Sequence, residues 1–208
     1  MKITRYEQSC MLLELDGTRI LIDPGARPFA ENRSVEDLGD INAIFFTHEH
    51  ADHFDKDIAE KYSSQMPVYV NESTSKQMAG SPKIIKDGDT VSVGGFQVQA
   101  RELPHCLMPD GSEGPQNTGY LVNNEFFHPG DGIELPGLKV KYLALPIIGP
   151  DVSPKDAFMF VRDTGAEKAI AIHYDVFGVN AEIYKGFSKR YNQPFEILTL
   201  TVGESTEL

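Results

Sequence analysis

The chain has 208 residues, 40% of them hydrophobic, which is enough to build a sizeable core. Acidic residues outnumber basic ones 31 to 19, a formal net charge of −12. Such a surface repels phosphate backbones and argues against non-specific nucleic-acid binding. The two cysteines, Cys10 and Cys106, exclude a disulfide framework or a C-x-x-C metal motif, and no apolar stretch approaches the roughly 20 residues of a membrane span. Arg5, Glu7 and Gln8 interrupt the N-terminal segment as a signal peptide, so a cytoplasmic setting is expected.

In chain order, Ile3 to Leu15 and Thr18 to Ile22 flank Asp16-Gly17 and predict a first hairpin. The second of these runs ends at Asp23, before Pro24-Gly25. Residues 26–40 are polar and turn-rich and read as a loop or short helical piece. Ala43 to Thr47 is a short, apolar, aromatic strand of the buried type. A helix is predicted over Lys56 to Ser63 with Asp55 as its N-cap, then a strand over Pro67 to Val70 and a helix ending across Lys76 to Ser81. Thr90 to Val93 and Phe96 to Leu103 flank Gly94-Gly95 as a second hairpin. Residues 106–117 form a long loop. Gly119 to Val122 and Glu125 to His128 flank Asn123-Asn124 as a third hairpin. A strand over Lys139 to Leu145 precedes a helix opened by Ser153-Pro154 and running to Thr164. Then follow a buried strand ending at His173, a helix over Ala181 to Tyr191 and a strand over Phe195 to Val202. Early hairpins and later strand–helix alternation predict a layered α/β fold with mixed sheets, and no linker divides the chain, so residues 1–208 are read as a single domain.

The chemistry concentrates at Thr47-His48-Glu49-His50-Ala51-Asp52-His53, which reads H-x-H-x-D-H. A chain still extended as it leaves its strand points residues two apart to the same side, so His48 and His50 can face one point. Asp52 and His53 follow at the bend before the next helix and can face a second point. Histidine and aspartate together suit zinc-like ions and keep the ion a strong Lewis acid. The hexad supplies four ligands, and two sites sharing a bridge need about three more. His105, Asp131 and His173 each end a strand-like run and are the natural complement.

From the strand-end Asp23 through the hexad to His105, Asp131 and His173, the chain resembles a metallo-β-lactamase-fold hydrolase over nearly its whole length. Within that superfamily it is most similar to the small metal-dependent hydrolases related to ascorbate-6-phosphate lactonase. Thr118-Gly119-Tyr120, the Phe127-His128-Pro129-Gly130-Asp131 run and Ile172-His173-Tyr174 carry that narrower likeness. The resemblance implies an αβ/βα sandwich of four layers, two mixed sheets face to face with helices on the outer faces and metals at one edge. It implies that His48, His50 and His105 bind one divalent ion, that Asp52, His53 and His173 bind another, and that Asp131 bridges them. Asp23 then holds a ligand histidine in its tautomer from behind. His128, three residues before Asp131, is read either as lying behind the ligands or against substrate, or as a plain strand-end histidine. Asp52 and Asp131 are the expected catalytic carboxylates, Asp52 with a second role as proton acceptor. Cys106 is read as a small loop residue rather than a nucleophile, and Tyr174 as a packed side chain.

The implied activity is a dinuclear hydrolase in which a metal-bridging hydroxide attacks a small-molecule ester, lactone or phosphoester. Zinc is the first expectation for the ion, with manganese or iron suiting the same ligands. The expected partner is a small-molecule substrate, with no nucleic acid and no membrane. Three alternatives accompany this reading: a redox di-iron protein, a non-catalytic relative that retains metal, and an RNA-processing nuclease. The acidity of the chain and its lack of a basic arm weigh against the last.

Overall fold

The computed structural model describes residues 1–208. The chain begins with a meander, β1 (Lys2–Arg5), β2 (Met11–Leu15) and β3 (Thr18–Ile22), and continues through β4 (Ala43–Phe45), β5 (Val68–Val70) and β6 (Lys83–Ile84). It then forms β7 (Thr90–Val93), β8 (Phe96–Glu102), β9 (Thr118–Val122), β10 (Phe126–His128), β11 (Tyr142–Pro146), β12 (Lys168–Ile172) and β13 (Glu196–Leu198), and ends in β14 (Ser205–Glu207). Two seven-stranded sheets result, ordered β14-β1-β2-β3-β4-β5-β6 and β13-β12-β11-β10-β9-β8-β7. Each sheet is antiparallel in one half and parallel in the other. In the first, β3 to β6 are parallel neighbours; in the second, β10 to β13 are.

Strand alternation separates the layers. Ile20, Ile22 and Phe45 of the first sheet meet Phe96, Val98, Tyr120, Ala144, Ile170 and Ile172 of the second in one cluster between the sheets. Their sequence neighbours Leu21 and Ile44 face the opposite way, onto Ala59 and Tyr62 of α2 (Lys56–Ser63). On the second sheet, Leu143, Leu145, Ala169 and Ala171 turn outward against α4 (Pro154–Thr164) and α5 (Glu182–Arg190), through Ala157, Val161 and Tyr184. The layers are therefore helix, sheet, sheet, helix: the expected αβ/βα sandwich. The short helices α1 (Phe29–Asn32) and α3 (Glu72–Ser75) sit in the connections of the first sheet.

The helix starts follow local capping chemistry. The Asp55 side chain accepts from the Ile58 N–H at 3.0 Å. Ser153 and Asp156 form a capping box around Pro154, and Gly165, at φ 69°, closes α4 in the left-handed conformation.

Several boundaries differ from the expectation. The first hairpin is a three-stranded meander, because Gln8 takes a positive φ of 54° and turns the chain between β1 and β2. The helix expected to end across Lys76 to Ser81 stops at Ser75; Gly80, at φ 96°, and Pro82 prevent its continuation. β11 begins at Tyr142 rather than Lys139, and the strand expected over Phe195 to Val202 pairs only from Glu196 to Leu198. β6 and β14 have no counterpart among the expected strands. Both are edge strands, of 2 and 3 residues, too short and too exposed to show an alternating pattern. No helix is long and apolar enough to cross a membrane.

Candidate metal centre

The hexad leaves the end of β4 and bends at once. His53 N–H and Phe54 N–H both donate to the His50 carbonyl, at 2.9 and 2.8 Å. Asp23, at the end of the adjacent β3, fixes this bend from behind. Its Oδ1 accepts from Thr47 N–H at 2.8 Å, and its Oδ2 accepts from Thr47 Oγ1 at 2.7 Å and from His53 Nδ1 at 2.8 Å. His48 Nδ1 lies 3.0 Å from Thr47 Oγ1 and donates to it, since the hydroxyl proton is already committed to Asp23. Asp23 thus orients two imidazoles, one directly and one through Thr47. Gly25 completes the support. A Cβ there would stand 2.5 Å from the Asp52 carbonyl oxygen and 2.7 Å from the His53 nitrogen, so only glycine admits the bend this close to β3.

Three imidazoles form a nearly equilateral triangle. Ring centroids are 4.8 Å apart for His48–His50, 4.7 Å for His48–His105 and 4.8 Å for His50–His105, with interplanar angles of 81–87°. A second group consists of Asp52, His53 and His173, with His173 Nε2 3.1 Å and His53 Nε2 4.0 Å from Asp52 Oδ2. Asp131 stands between them. Its Oδ1 is 2.9 Å from His53 Nε2, while its Oδ2 is 3.2 Å from His173 Nε2, 3.4 Å from His105 Nε2 and 3.8 Å from His48 Nε2. The seven residues expected to bind metal therefore converge, His48, His50, His105 and Asp131 in one group and Asp52, His53 and His173 in the other.

The donor set fits metal cations. In four of the histidines Nδ1 is occupied on the outer side: by Thr47 in His48, by Asp23 in His53, by the Cys106 carbonyl at 2.6 Å in His105 and by the Ile148 carbonyl at 2.8 Å in His173. All four Nε2 atoms face inward. Those of His48, His53 and His105 are buried with no aligned hydrogen bond, as is Asp131 Oδ1. Buried polar atoms left unpaired are costly, and metal coordination is a standard way to satisfy a set of this composition.

Electrostatics show the same tension. Burial, aided by nearby His53, holds the His48 pKa well below the usual imidazole value. Burial also opposes charge on His53, but the carboxylates of Asp131 and Asp23 outweigh it and raise that pKa well above normal. His105, likewise opposed by burial, is raised to about 10 chiefly by its contact with Asp131. Burial works against ionised Asp131 too, yet His173 and His53 keep its pKa well below the carboxylate range. Protons held among these groups are what a cation would displace.

His173 ends β12 with φ 63°, a left-handed conformation uncommon outside glycine, and its N–H donates to the Gln8 carbonyl. Gln8 is a supporting residue that no sequence motif marks. It is fully buried, its Nε2 donates to Asp52 Oδ2 at 3.0 Å and its Oε1 accepts from Val176 N–H. Asp175 anchors it in turn, accepting from Gln8 N–H and pairing with buried Arg5. Asn117 is a second such residue. Its Nδ2 donates to the Pro129 carbonyl at 2.9 Å and its Oδ1 accepts from Asp131 N–H at 3.4 Å.

His128 lies behind the cleft rather than in its wall. Its Nε2 donates to the Ser9 carbonyl at 2.8 Å and its Nδ1 accepts from Gly130 N–H, which steadies the turn presenting Asp131. Tyr174 packs under Arg5 and donates to the Leu200 carbonyl, away from the cleft. Cys106 is buried beside His105 and forms part of the cleft wall.

The beta-lactamase superfamily domain matches residues 2–173, ending at the last of these ligand candidates. Protein Rv0786c of Mycobacterium tuberculosis is 28% identical over 195 residues, 89% of this chain and 90% of that protein. A UPF0173 metal-dependent hydrolase of Flavobacterium johnsoniae is 26% identical over 228 residues, spanning both chains completely. Among solved structures, Igni18, a metallo hydrolase from the archaeon Ignicoccus hospitalis, superposes with a TM-score of 0.78 at 17% identity over 100% of this chain and 98% of that one, and so shares the fold. The chain belongs to the beta-lactamase superfamily and is a metal-dependent hydrolase.

Proposed function

We propose that the protein is a dinuclear hydrolase that cleaves a small-molecule ester, lactone or phosphoester. One observation carries this reading: the two oxygens of Asp131 lie within reach of both ligand groups, with Oδ1 on His53 and Oδ2 near His173, His105 and His48. A single carboxylate so placed joins two cation sites into one centre. His48, His50 and His105 would hold one divalent ion, and Asp52, His53 and His173 the other. Bound there, such ions supply Lewis acidity toward water and toward a substrate oxygen. Zinc is the first choice for these histidine and aspartate donors, and manganese and iron suit them too.

The protein's own groups do the rest. Asp23, Thr47 and the carbonyls of Cys106 and Ile148 keep the inward Nε2 atoms aimed and unprotonated once protons are displaced. Asp52 remains ionised at neutral pH. Burial opposes this, but the His173 hydrogen bond and the charges nearby hold its pKa below the carboxylate range. Its carboxylate, partly open to the cleft, takes the proton of the attacking water and returns it to the leaving oxygen. A cleft without lysine or arginine, on a chain of net charge −12, supports a small molecule over nucleic acid.

The test is metal stoichiometry with turnover. Protein purified without chelator should hold close to two ions per chain by elemental analysis and hydrolyse generic esters. The Asp131→Ala variant should retain at most one ion and lose roughly 10³-fold or more in kcat, the scale of removing one strong charge-stabilising group. Full activity in that variant would sink the two-ion mechanism.

A further inference from the structure

Above the two ligand groups opens a cleft of about 720 Å³. Away from the ligands its walls are largely apolar. Leu107, Met108 and Pro109 come from the loop after His105, Ile148 and Pro150 from the loop after β11, and Phe177 from the segment after His173. Leu107 and Phe177 are 41% and 51% exposed, large apolar side chains left in water beside a polar centre. The Phe177 ring stands 5.4 Å from the His173 ring, so the apolar wall reaches the ligands themselves. Scattered exposed apolar residues need no explanation, but a contiguous set around a cleft marks a binding surface.

The charges are as informative. No lysine or arginine lines the cleft, and the one carboxylate outside the ligand groups is Asp151, whose Oδ1 accepts from Leu107 N–H at 3.1 Å. Phosphoryl transfer spreads charge over three equatorial oxygens and is commonly met by basic clamps, which these walls lack. An anionic group further along a substrate would meet apolar side chains and Asp151.

We propose that the site takes an acyl compound, an ester or lactone, whose part beyond the reacting bond is an uncharged alkyl or aryl group, selected by Leu107, Ile148 and Phe177. This rests on the hydrolytic reading and narrows it. In the reaction the water oxygen bonds to the acyl carbon, and the carbon–oxygen bond to the leaving alcohol breaks. One water proton ends on that alcohol and the other leaves with the acid.

The experiment uses the metal-loaded full chain and p-nitrophenyl esters from acetate to octanoate. kcat/KM should rise about threefold per methylene, a little under the roughly fourfold of full burial. The monoester of adipic acid, matched in length to the hexanoate but ending in a carboxylate, should be at least tenfold poorer, and Asp151→Asn should narrow that gap. Leu107→Ser with Phe177→Ser, both at exposed positions, should flatten the chain-length response, lowering kcat/KM on the octanoate ester far more than on the acetate. Saturation-transfer NMR with hexanamide gives a readout without turnover, and its methylenes should contact the wild type and not the double variant. A flat response, a faster bis(p-nitrophenyl) phosphate reaction or no hexanamide contact would overturn the proposal while leaving a metal hydrolase. Hexanamide contact without hydrolysis of any ester would overturn the hydrolytic reading and leave the apolar selection standing.

Discussion

Asp23 has no access to the cleft, yet it decides which nitrogen of two histidines faces inward. It accepts directly from His53 Nδ1 and, through Thr47 Oγ1, commits His48 Nδ1 as well. Asn at this position keeps one acceptor but loses the charge, and its amide can turn a donor toward His53. We expect Asp23→Asn to weaken metal binding about 10- to 100-fold, the usual effect of removing a carboxylate behind a ligand. Competition with a chromophoric chelator measures it; unchanged affinity would mean that packing alone aims His53. Asp23 was legible in the sequence because it ends an apolar run before Pro24-Gly25 and completes a familiar order of ligands. Gln8 was not. Its contacts run to Asp52, Asp175 and Val176, between 44 and 168 residues away, and nothing in the local sequence announces them. Cys106 and His128 fall between these cases. The sequence raised both, and only packing shows one in the cleft wall and the other behind the Asp131 turn.

At the scale of elements, the hairpins at Asp16-Gly17, Gly94-Gly95 and Asn123-Asn124 were readable because two-residue turns enforce their own backbone. The helices with Asp55 and Ser153 caps were readable for the same local reason. β14 was not, since its only role is to pair with β1 across more than 200 residues of chain and its side chains stay polar. The layered packing turns one glycine into a gate for the site. Gly25 lets the bend carrying Asp52 and His53 rest directly on the end of β3. Gly25→Ala forces backbone apart where no flexible side chain can yield, so it should destabilise by about 1–3 kcal/mol and reduce the bound metal below the wild-type level. Gly186 is the control. It lies mid-way along α5, where an added Cβ would meet no atom within 4 Å, so Gly186→Ala should stabilise by roughly 0.5–1 kcal/mol. Thermal melts and elemental analysis of the pair separate a local effect on the site from a general intolerance of substitution; equal shifts would refute it.

For the molecule as a whole, the ligand groups lie where the two sheets meet. Asp23, His48, His50, Asp52 and His53 follow strands of the first sheet, and His105, Asp131 and His173 follow strands of the second. On the dinuclear reading, each ion therefore takes ligands from both sheets: His48 and His50 with His105 in one case, Asp52 and His53 with His173 in the other. Removing the ions should cost more than activity, because it leaves inward-facing nitrogens unpaired and unties the sandwich at this edge. A ligand present at about 1,000 times its Kd stabilises by about 4 kcal/mol. For a chain of this size each kcal/mol moves Tm by roughly 2–4 °C, so losing one ion so bound should lower Tm by roughly 8–16 °C and stripping both by about twice that. Acid should do the same, since protons compete with cations for histidine and carboxylate ligands. Re-adding zinc should restore the melt, with Tm climbing roughly with the logarithm of free zinc, and Asp131→Ala should show most of the loss before any chelator is added. A Tm indifferent to chelator would mean that the sheets hold together without the ions and that the centre carries no share of the fold's stability.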